Sequence, residues 1–302
     1  MNNKNYVTDA INLKSYNLND ADKIVLMYSK DNGLIKGVAK GVKKTKNKLG
    51  ARMDLLNANS LQLIRGRSMD TVIQAQTINN FKNSRKDMDK LLLSSYISEL
   101  IINLAEGSES AAREVYDILY KALEKIENSL TKKDSLIAVI KFQLKLLLIM
   151  GFCVELDSCL CCREQILNEE MYFSSKMGGV ICKECNEVLG IKLKMHYKIR
   201  DFLQAMLQFD FNYESDYEKK ATEKVCTVCF NLLDEYIQKY LKFIFTVAKV
   251  SQIYGKIAKF FIKQFLSLHL NALHKEKVAK RSSATLNKHE DIKREYKMKI
   301  YF

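Results

Sequence analysis

The chain has 302 residues with no proline and no tryptophan, and 49 lysines and arginines stand against 35 acids for a formal charge of +14. An apolar fraction of 47% suits a chain that buries cores, which excludes global disorder, collagen and proline-rich linkers; the length accommodates about two or three domains. The charge points to a polyanionic partner, either nucleic acid or an anionic membrane face. Of the 49 bases 40 are lysine, and with the missing proline this also fits a compositional bias of the source genome.

The amino end, from Met1 to Asp9, is polar and lacks the apolar stretch of a signal peptide. The most apolar run, Leu136 to Phe152, is interrupted by Lys141, Gln143 and Lys145, whereas a membrane span needs about 20 mainly apolar residues. The expectation is a cytosolic protein without a membrane span, in which eight cysteines suggest metal binding before disulfides.

Five short segments of strand character come first: Tyr6 to Ser15, Lys23 to Ser29, Leu34 to Val42, Ser60 to Arg65 and Thr71 to Ile78. Turn chemistry separates them at Asn19-Asp20, Asp31-Asn32-Gly33 and Arg65-Gly66-Arg67. Five such strands in about 80 residues predict a small OB-fold barrel. From Lys36 to Arg52 the chain carries Lys36, Lys40, Lys43, Lys44, Lys46, Lys48 and Arg52 with no acid among them, and Arg65 and Arg67 flank the next turn. Lys36 and Lys40 would share one face of a strand, with Lys43 to Lys48 following as a flexible loop. A cationic groove beside aromatic platforms is how such barrels hold single strands, and Tyr16 and Tyr28 are candidate platforms; a solvated lysine-rich loop is the competing reading.

Near Asp87 the period changes from 2 to 3.6. Leu92, Tyr96, Leu100 and Leu104 form one helical stripe, and Val115, Leu119, Ala122 and Ile126 form a second. A third helix, from about Asp134 to Met150, is apolar nearly all round and belongs at the centre of a bundle. Residues 151–190 form a compact insertion rich in cysteine and glycine. Helical periodicity then resumes from Lys192 to about Leu273, and 274–302 is a polar, basic tail. The expected domains are therefore 1–80, 81–150, 151–190, 191–273 and 274–302, an α+β organisation.

Within the insertion Cys159-x2-Cys162 is followed after 19 residues by Cys182-x2-Cys185. Two such knuckles give the tetrahedral four-sulfur site that zinc prefers, and four thiolates leave no position for water, so the zinc would be one structural ion. Cys153 and Cys161 read as packing residues. Cys226 and Cys229 share a helix face, where free cysteine behaves as a small buried hydrophobe. No phosphate-binding Gly-x4-Gly-Lys-Ser/Thr loop, no His-Glu-x2-His and no deaminase pattern occurs; no catalytic residue is identified.

Read together, several blocks carry a family likeness. Tyr6-Val-Thr-Asp-Ala-Ile-Asn-Leu, Asn19-Asp-Ala-Asp-Lys-Ile-Val, Gly33-Leu-Ile-Lys-Gly-Val-Ala-Lys-Gly-Val and Leu61-Gln-Leu-Ile-Arg-Gly-Arg resemble the amino domain of the bacterial DNA repair protein RecO family. Gly151-Phe152, the first knuckle, Tyr172-Phe-Ser and Gly178-Gly-Val-Ile-Cys-Lys-Glu-Cys185 look like that family's zinc insertion. The resemblance implies an OB-fold joined to a helical domain carrying a four-cysteine zinc ribbon. It further implies binding of single- and double-stranded DNA, annealing of complementary strands, and action with RecR to load RecA onto DNA coated by the single-strand-binding protein, whose carboxyl tail is a partner. Such a protein would work in the bacterial cytoplasm, on the nucleoid. Carried over by position, the zinc ligands fall on Cys159, Cys162, Cys182 and Cys185. The DNA contacts fall on Lys36, Lys40, Lys43, Lys44, Lys46, Lys48, Arg52, Arg65 and Arg67.

Two departures stand out. Val154 occupies a position where the family usually has proline, and Arg163 follows the first knuckle where it usually has glycine, a residue that permits φ > 0. The carboxyl end is longer than usual, with only a faint echo of the family's last helix at Phe261 to Leu270. There Lys242, Lys249, Lys256 and Lys263 recur every seven residues among apolar neighbours. This stripe reads as a solvated helix face, as further phosphate contacts, or as a membrane or partner contact. The alternative function is a zinc-ribbon scaffold whose basic surfaces bind acidic tails of partner proteins.

Overall fold

A computed structural model describes residues 4–44, 47–105, 107, 109–167 and 170–254, with side chains described as far as Leu241. Lys46, Lys256, Lys263, the segment from Phe261 to Leu270 and the tail 274–302 lie outside the described residues, as do the side chains of Lys242 and Lys249. The chain divides into two compact units, Met1–Cys153 with Asp201–Leu233, and Val154–Arg200 with the chain from Asp234 onward.

Five strands open the first unit: β1 (Asn5–Asn17), β2 (Lys23–Ser29), β3 (Gly33–Ala39), β4 (Ala58–Ile64) and β5 (Asp70–Asn79). They close a barrel in the order β1-β2-β3-β5-β4. β1 is long enough to pair with both β2 and β4, and a bulge between Asn12 and Lys14 bends it from one partner to the other. Closure comes from a short parallel pairing, Gly37 with Asp70 through Ala39 with Val72. Glycine is required there by space, since a Cβ at Gly37 would meet the Met27 side chain at 2.7 Å and Val72 at 3.0 Å. The interior is filled by Ala10, Val25, Met27, Leu61, Leu63 and Val72, capped by Val42, Leu49 and Met53 from the β3–β4 connection.

Turn residues act as the sequence suggests. The Asn19 side chain accepts the backbone N–H groups of Ala21 and Asp22 at 2.9 and 2.7 Å, and Gly33 takes a left-handed φ of 64°. One boundary differs. β3 ends at Ala39 because Gly41 also turns left-handed, so Lys40 stands in the turn and the strand alternation that would align it with Lys36 stops short of it.

Three helices follow, α1 (Met88–Leu104), α2 (Ala112–Asn128) and α3 (Lys132–Ile149). Asp87 caps α1, and Thr131 with Asp134 forms a capping box on α3. On α2 the residues Val115, Leu119, Ala122 and Ile126 are fully buried, as their spacing predicts. On α1 the expected stripe holds only in part: Leu100 is buried and Tyr96 and Leu104 are half-buried, but Leu92 is 59% exposed, and Ser94, Ile97, Ser98 and Ile101 share the inward face. Apolar residues lie nearly all round α1, so periodicity leaves its inward face undetermined. Serine suits a tight helix contact, and Ser98 meets its own hydrogen-bond need by donating to the Ser94 carbonyl at 2.9 Å.

α3 is buried from Ser135 to Leu144, including Lys141 and Gln143. The Lys141 ammonium uses three donors: it pairs with Glu218 at 2.9 Å and donates to the carbonyls of Asp210 and Tyr213, both at 3.0 Å. Glu218 also accepts the N–H and hydroxyl of Ser215, which begins a short helix. One buried charge thereby fixes the 210–218 segment on the central helix.

The second unit holds a hairpin and a short third strand, β6 (Met171–Ser174), β7 (Gly179–Cys182) and β8 (Lys194–Met195), with α4 (Lys183–Leu189) after β7. α5 (Tyr197–Gln208), α6 (Asp216–Lys220) and α7 (Glu223–Tyr254) complete the described chain.

Removing one member of a buried ion pair leaves an uncompensated charge, at a cost of about 3–5 kcal/mol. Lys141→Met should therefore lose that much stability in urea unfolding, and adding Glu218→Gln should recover a substantial part. Equal stability of Lys141→Met and the parent would contradict this role.

Candidate metal centre and nucleic-acid interface

Cys159 and Cys162 lie on a tight turn, Cys182 ends β7, and Cys185 lies in the first turn of α4. The β6–β7 hairpin that brings the pairs together needs Gly178, which has φ 79° and would place a Cβ 2.6 Å from Tyr236. All four sulfurs fall within 4.8 Å of one another, and those of Cys162 and Cys182 are 3.8 Å apart. A disulfide needs about 2.05 Å, and none of the eight cysteines forms one. A tetrahedron of sulfurs about 2.3 Å from a zinc ion has edges of about 3.8 Å, so the spacing fits that ion.

The electrostatics agree. The Cys159 thiol is lowered to about 4, chiefly by a hydrogen bond from the Cys161 side chain and then by backbone N–H groups; the N–H of Cys182 approaches its sulfur at 3.3 Å and that of Cys161 at 3.4 Å. Cys185 is pushed up to about 12 by burial and by the charge of its neighbours, and Cys182 is raised by burial. Four crowded sulfurs cannot all ionise on their own, and a dication is the partner that lets them.

Arg163 follows the knuckle with φ 65°. Its N–H closes the turn onto the Cys159 carbonyl at 3.0 Å. The position demands the left-handed conformation, and an arginine adopts it here. The other cysteines sort as follows. Cys226 and Cys229 are fully buried in α7, and burial pushes them up to about 11 and about 12, as packing residues. Cys153 is exposed, against expectation: the chain has left α3 before reaching it. Cys161 serves the Cys159 sulfur and is only partly buried.

The cationic residues of the barrel gather on its connections. Lys36 is exposed on β3, and Lys40, Lys43, Lys44 and Lys48 are exposed on the β3–β4 connection, which forms successive turns. The absence of acids in that stretch does not survive folding. Asp22, from the β1–β2 turn, accepts the Gly41 N–H at 2.6 Å, and Lys43 donates to the Asn19 carbonyl at 2.8 Å. The Asp22 carboxyl is held below its usual range by the Gly41 N–H, by Asn19 and by the charges of Lys40 and Lys44. Arg52 is half-buried and donates to the Ala75 carbonyl of β5 at 2.8 Å, while its own carbonyl accepts from Asn12, Asn57 and Asn59.

Arg65 and Arg67 are exposed on the β4–β5 turn. The pairing of Gly37 with Asp70 sets that turn beside β3, next to Lys36. Tyr16 is 49% exposed with the Lys14 ammonium 5.8 Å from its ring, so it can offer a platform. Tyr28 cannot: it is fully buried, its hydroxyl beside Gly33 where the Glu109 segment packs. A second tyrosine was not legible as part of this surface. Arg65 lies over the ring of Tyr6, 5.1 Å from its centre, a contact made by strand pairing alone.

Residues 1–81 match the family model described as Recombination protein O N terminal, and residues 85–244 match Recombination protein O C terminal. The chain belongs to the RecO family. It is 32% identical to DNA repair protein RecO of Caldanaerobacter subterraneus, over 78% of this chain and 91% of that protein. A RecO of Dehalococcoides mccartyi is also 32% identical, over 66% of this chain and 78% of its own, and one of Desulforamulus reducens is 30% identical, over 79% and 91%. The RecO match ends at residue 244, within α7. Among the described residues no helix is long and apolar enough to cross a membrane.

A left-handed backbone costs a residue with a Cβ about 1–2 kcal/mol, part of which glycine would give back through its freer unfolded chain. Arg163→Gly should gain about 0.5–1 kcal/mol in chemical denaturation of the metal-loaded protein. A loss of stability would mean that the arginine side chain contributes more than its backbone strain costs.

Proposed function

We propose that this chain is a recombination mediator that binds single- and double-stranded DNA, anneals complementary strands and, with RecR, helps load RecA onto DNA covered by the single-strand-binding protein. The observation that carries the reading is the exposed cationic surface that one barrel assembles from β3 and two connections, Lys36, Lys40, Lys43, Lys44 and Lys48 on one side and Arg65 and Arg67 on the other. Lys46, between Lys44 and Lys48, belongs to the same run in sequence. Arg52 has the weaker claim to a phosphate, since it already bridges to Ala75.

Annealing is limited by repulsion between two polyanions. Lysines and arginines that neutralise phosphates on both strands lower that repulsion and release counterions, while exposed rings such as Tyr16 hold bases without reading sequence. This work needs no covalent chemistry. Zinc on Cys159, Cys162, Cys182 and Cys185 would be structural, holding residues 151–190 as a module of their own. The setting would be the cytoplasm, on nucleoid DNA, with the acidic tail of the single-strand-binding protein as a further partner.

Lys36→Glu, Lys44→Glu and Lys48→Glu combined should slow annealing of complementary oligonucleotides at least tenfold, with zinc staying near one ion per chain. Undiminished annealing would refute the electrostatic mechanism. Tight binding of an acidic tail peptide by a protein that binds no oligonucleotide would instead favour a scaffold.

A further inference from the structure

We propose that Tyr6 and Asp70 form a clasp that keeps the guanidinium of Arg65 open to a nucleic-acid phosphate. The inference rests on reading the β4–β5 turn as a phosphate contact. Asp70 is the acid that ends the Arg65-Gly-Arg-Ser-Met-Asp70 turn. An open carboxylate so close would compete for the guanidinium and repel the phosphate meant to reach it.

Both oxygens of that carboxylate are occupied by neutral donors. Oδ2 accepts the Tyr6 phenol in a short hydrogen bond, and Oδ1 accepts the Gly66 N–H at 3.0 Å. The Arg65 guanidinium is directed elsewhere, over the face of the same Tyr6 ring, while the backbone N–H of Arg65 donates to the Lys4 carbonyl at 2.7 Å. Among the described residues it forms no ion pair, and its side-chain hydrogen bond to Asn32 is long, at 3.4 Å. Tyr6 therefore does two things at once. Its hydroxyl occupies the competing acid, and its ring carries the cation by a contact that leaves the N–H edges free for a phosphate. Burial, and then the hydrogen bond to Asp70, raise the phenol well above its usual range, so it remains a donor at working pH.

The clasp separates from a merely structural role by its effect on the number of phosphates contacted. The measurement is oligo-dT affinity by fluorescence anisotropy across a salt series, for the parent, Tyr6→Phe, Asp70→Asn, the double variant and Arg65→Gln. Tyr6→Phe keeps the ring and releases Asp70 onto Arg65. It should weaken binding about 3- to 10-fold at low salt and make the log–log slope shallower by about 0.7, one phosphate on a single strand. In the double variant Asp70→Asn should restore affinity and slope by more than it improves the parent, a non-additive cycle. A general loss of folding would not be rescued in this way. An unchanged slope for Tyr6→Phe where Arg65→Gln lowers it, or an additive cycle, overturns the clasp while leaving Arg65 as a phosphate contact. An unchanged slope for Arg65→Gln overturns the phosphate reading of the turn, and the clasp with it.

Discussion

The parallel pairing of Gly37 to Ala39 with Asp70 to Val72 closes the barrel, and the cationic surface depends on it. Without closure, the β3–β4 connection and the β4–β5 turn are separate basic stretches of a lysine-rich chain. With it, Lys36 lies beside the turn that carries Arg65 and Arg67. The contact is narrow, three residue pairs in all, and it relies on the missing side chain of Gly37 beside Met27 and Val72. A different pairing brings Tyr6 against Asp70: β1 and β5 flank β4, with Tyr6 opposite Leu63 and Leu63 opposite Val72.

The second unit depends on charge rather than on shape. Its four sulfurs are placed by a knuckle, a hairpin and the first turn of a helix, at a spacing compatible with the edge of a small tetrahedron. One thiol is drawn toward ionisation and two are held back, a tension that a bound dication would resolve. Arg163 shows how far local geometry is dictated by this arrangement, because the backbone turns left-handed even where the residue disfavours it.

Features that rest on local chemistry were legible in the sequence. The strands follow their turn residues, α2 follows its period, and the two Cys-x2-Cys pairs at their spacing announced the sulfur cluster. Arg163 stands out in the sequence only through the family likeness, which places glycine there, and its φ of 65° is the conformation that glycine serves. Features made by distant contacts were not legible. Asp22 enters the basic run from another hairpin, Tyr28 is covered by the segment before α2, and Arg52 is drawn to a carbonyl of β5. On α1 the period holds at Leu100 and fails at Leu92, because apolar residues surround the helix and Ser94 and Ser98 share the buried face with Ile97, Leu100 and Ile101. Tyr6 gave no sign of its role, since its partners lie at the far end of the barrel sequence.

The central claim is that the barrel binds single strands through phosphates neutralised by its two basic connections. The most direct test is the salt dependence of oligo-dT affinity for the unaltered protein. At about 0.7 per phosphate, a surface of this kind should give log K against log salt with a slope between about −2 and −5. A slope near zero would contradict the account, whatever the affinity at low salt.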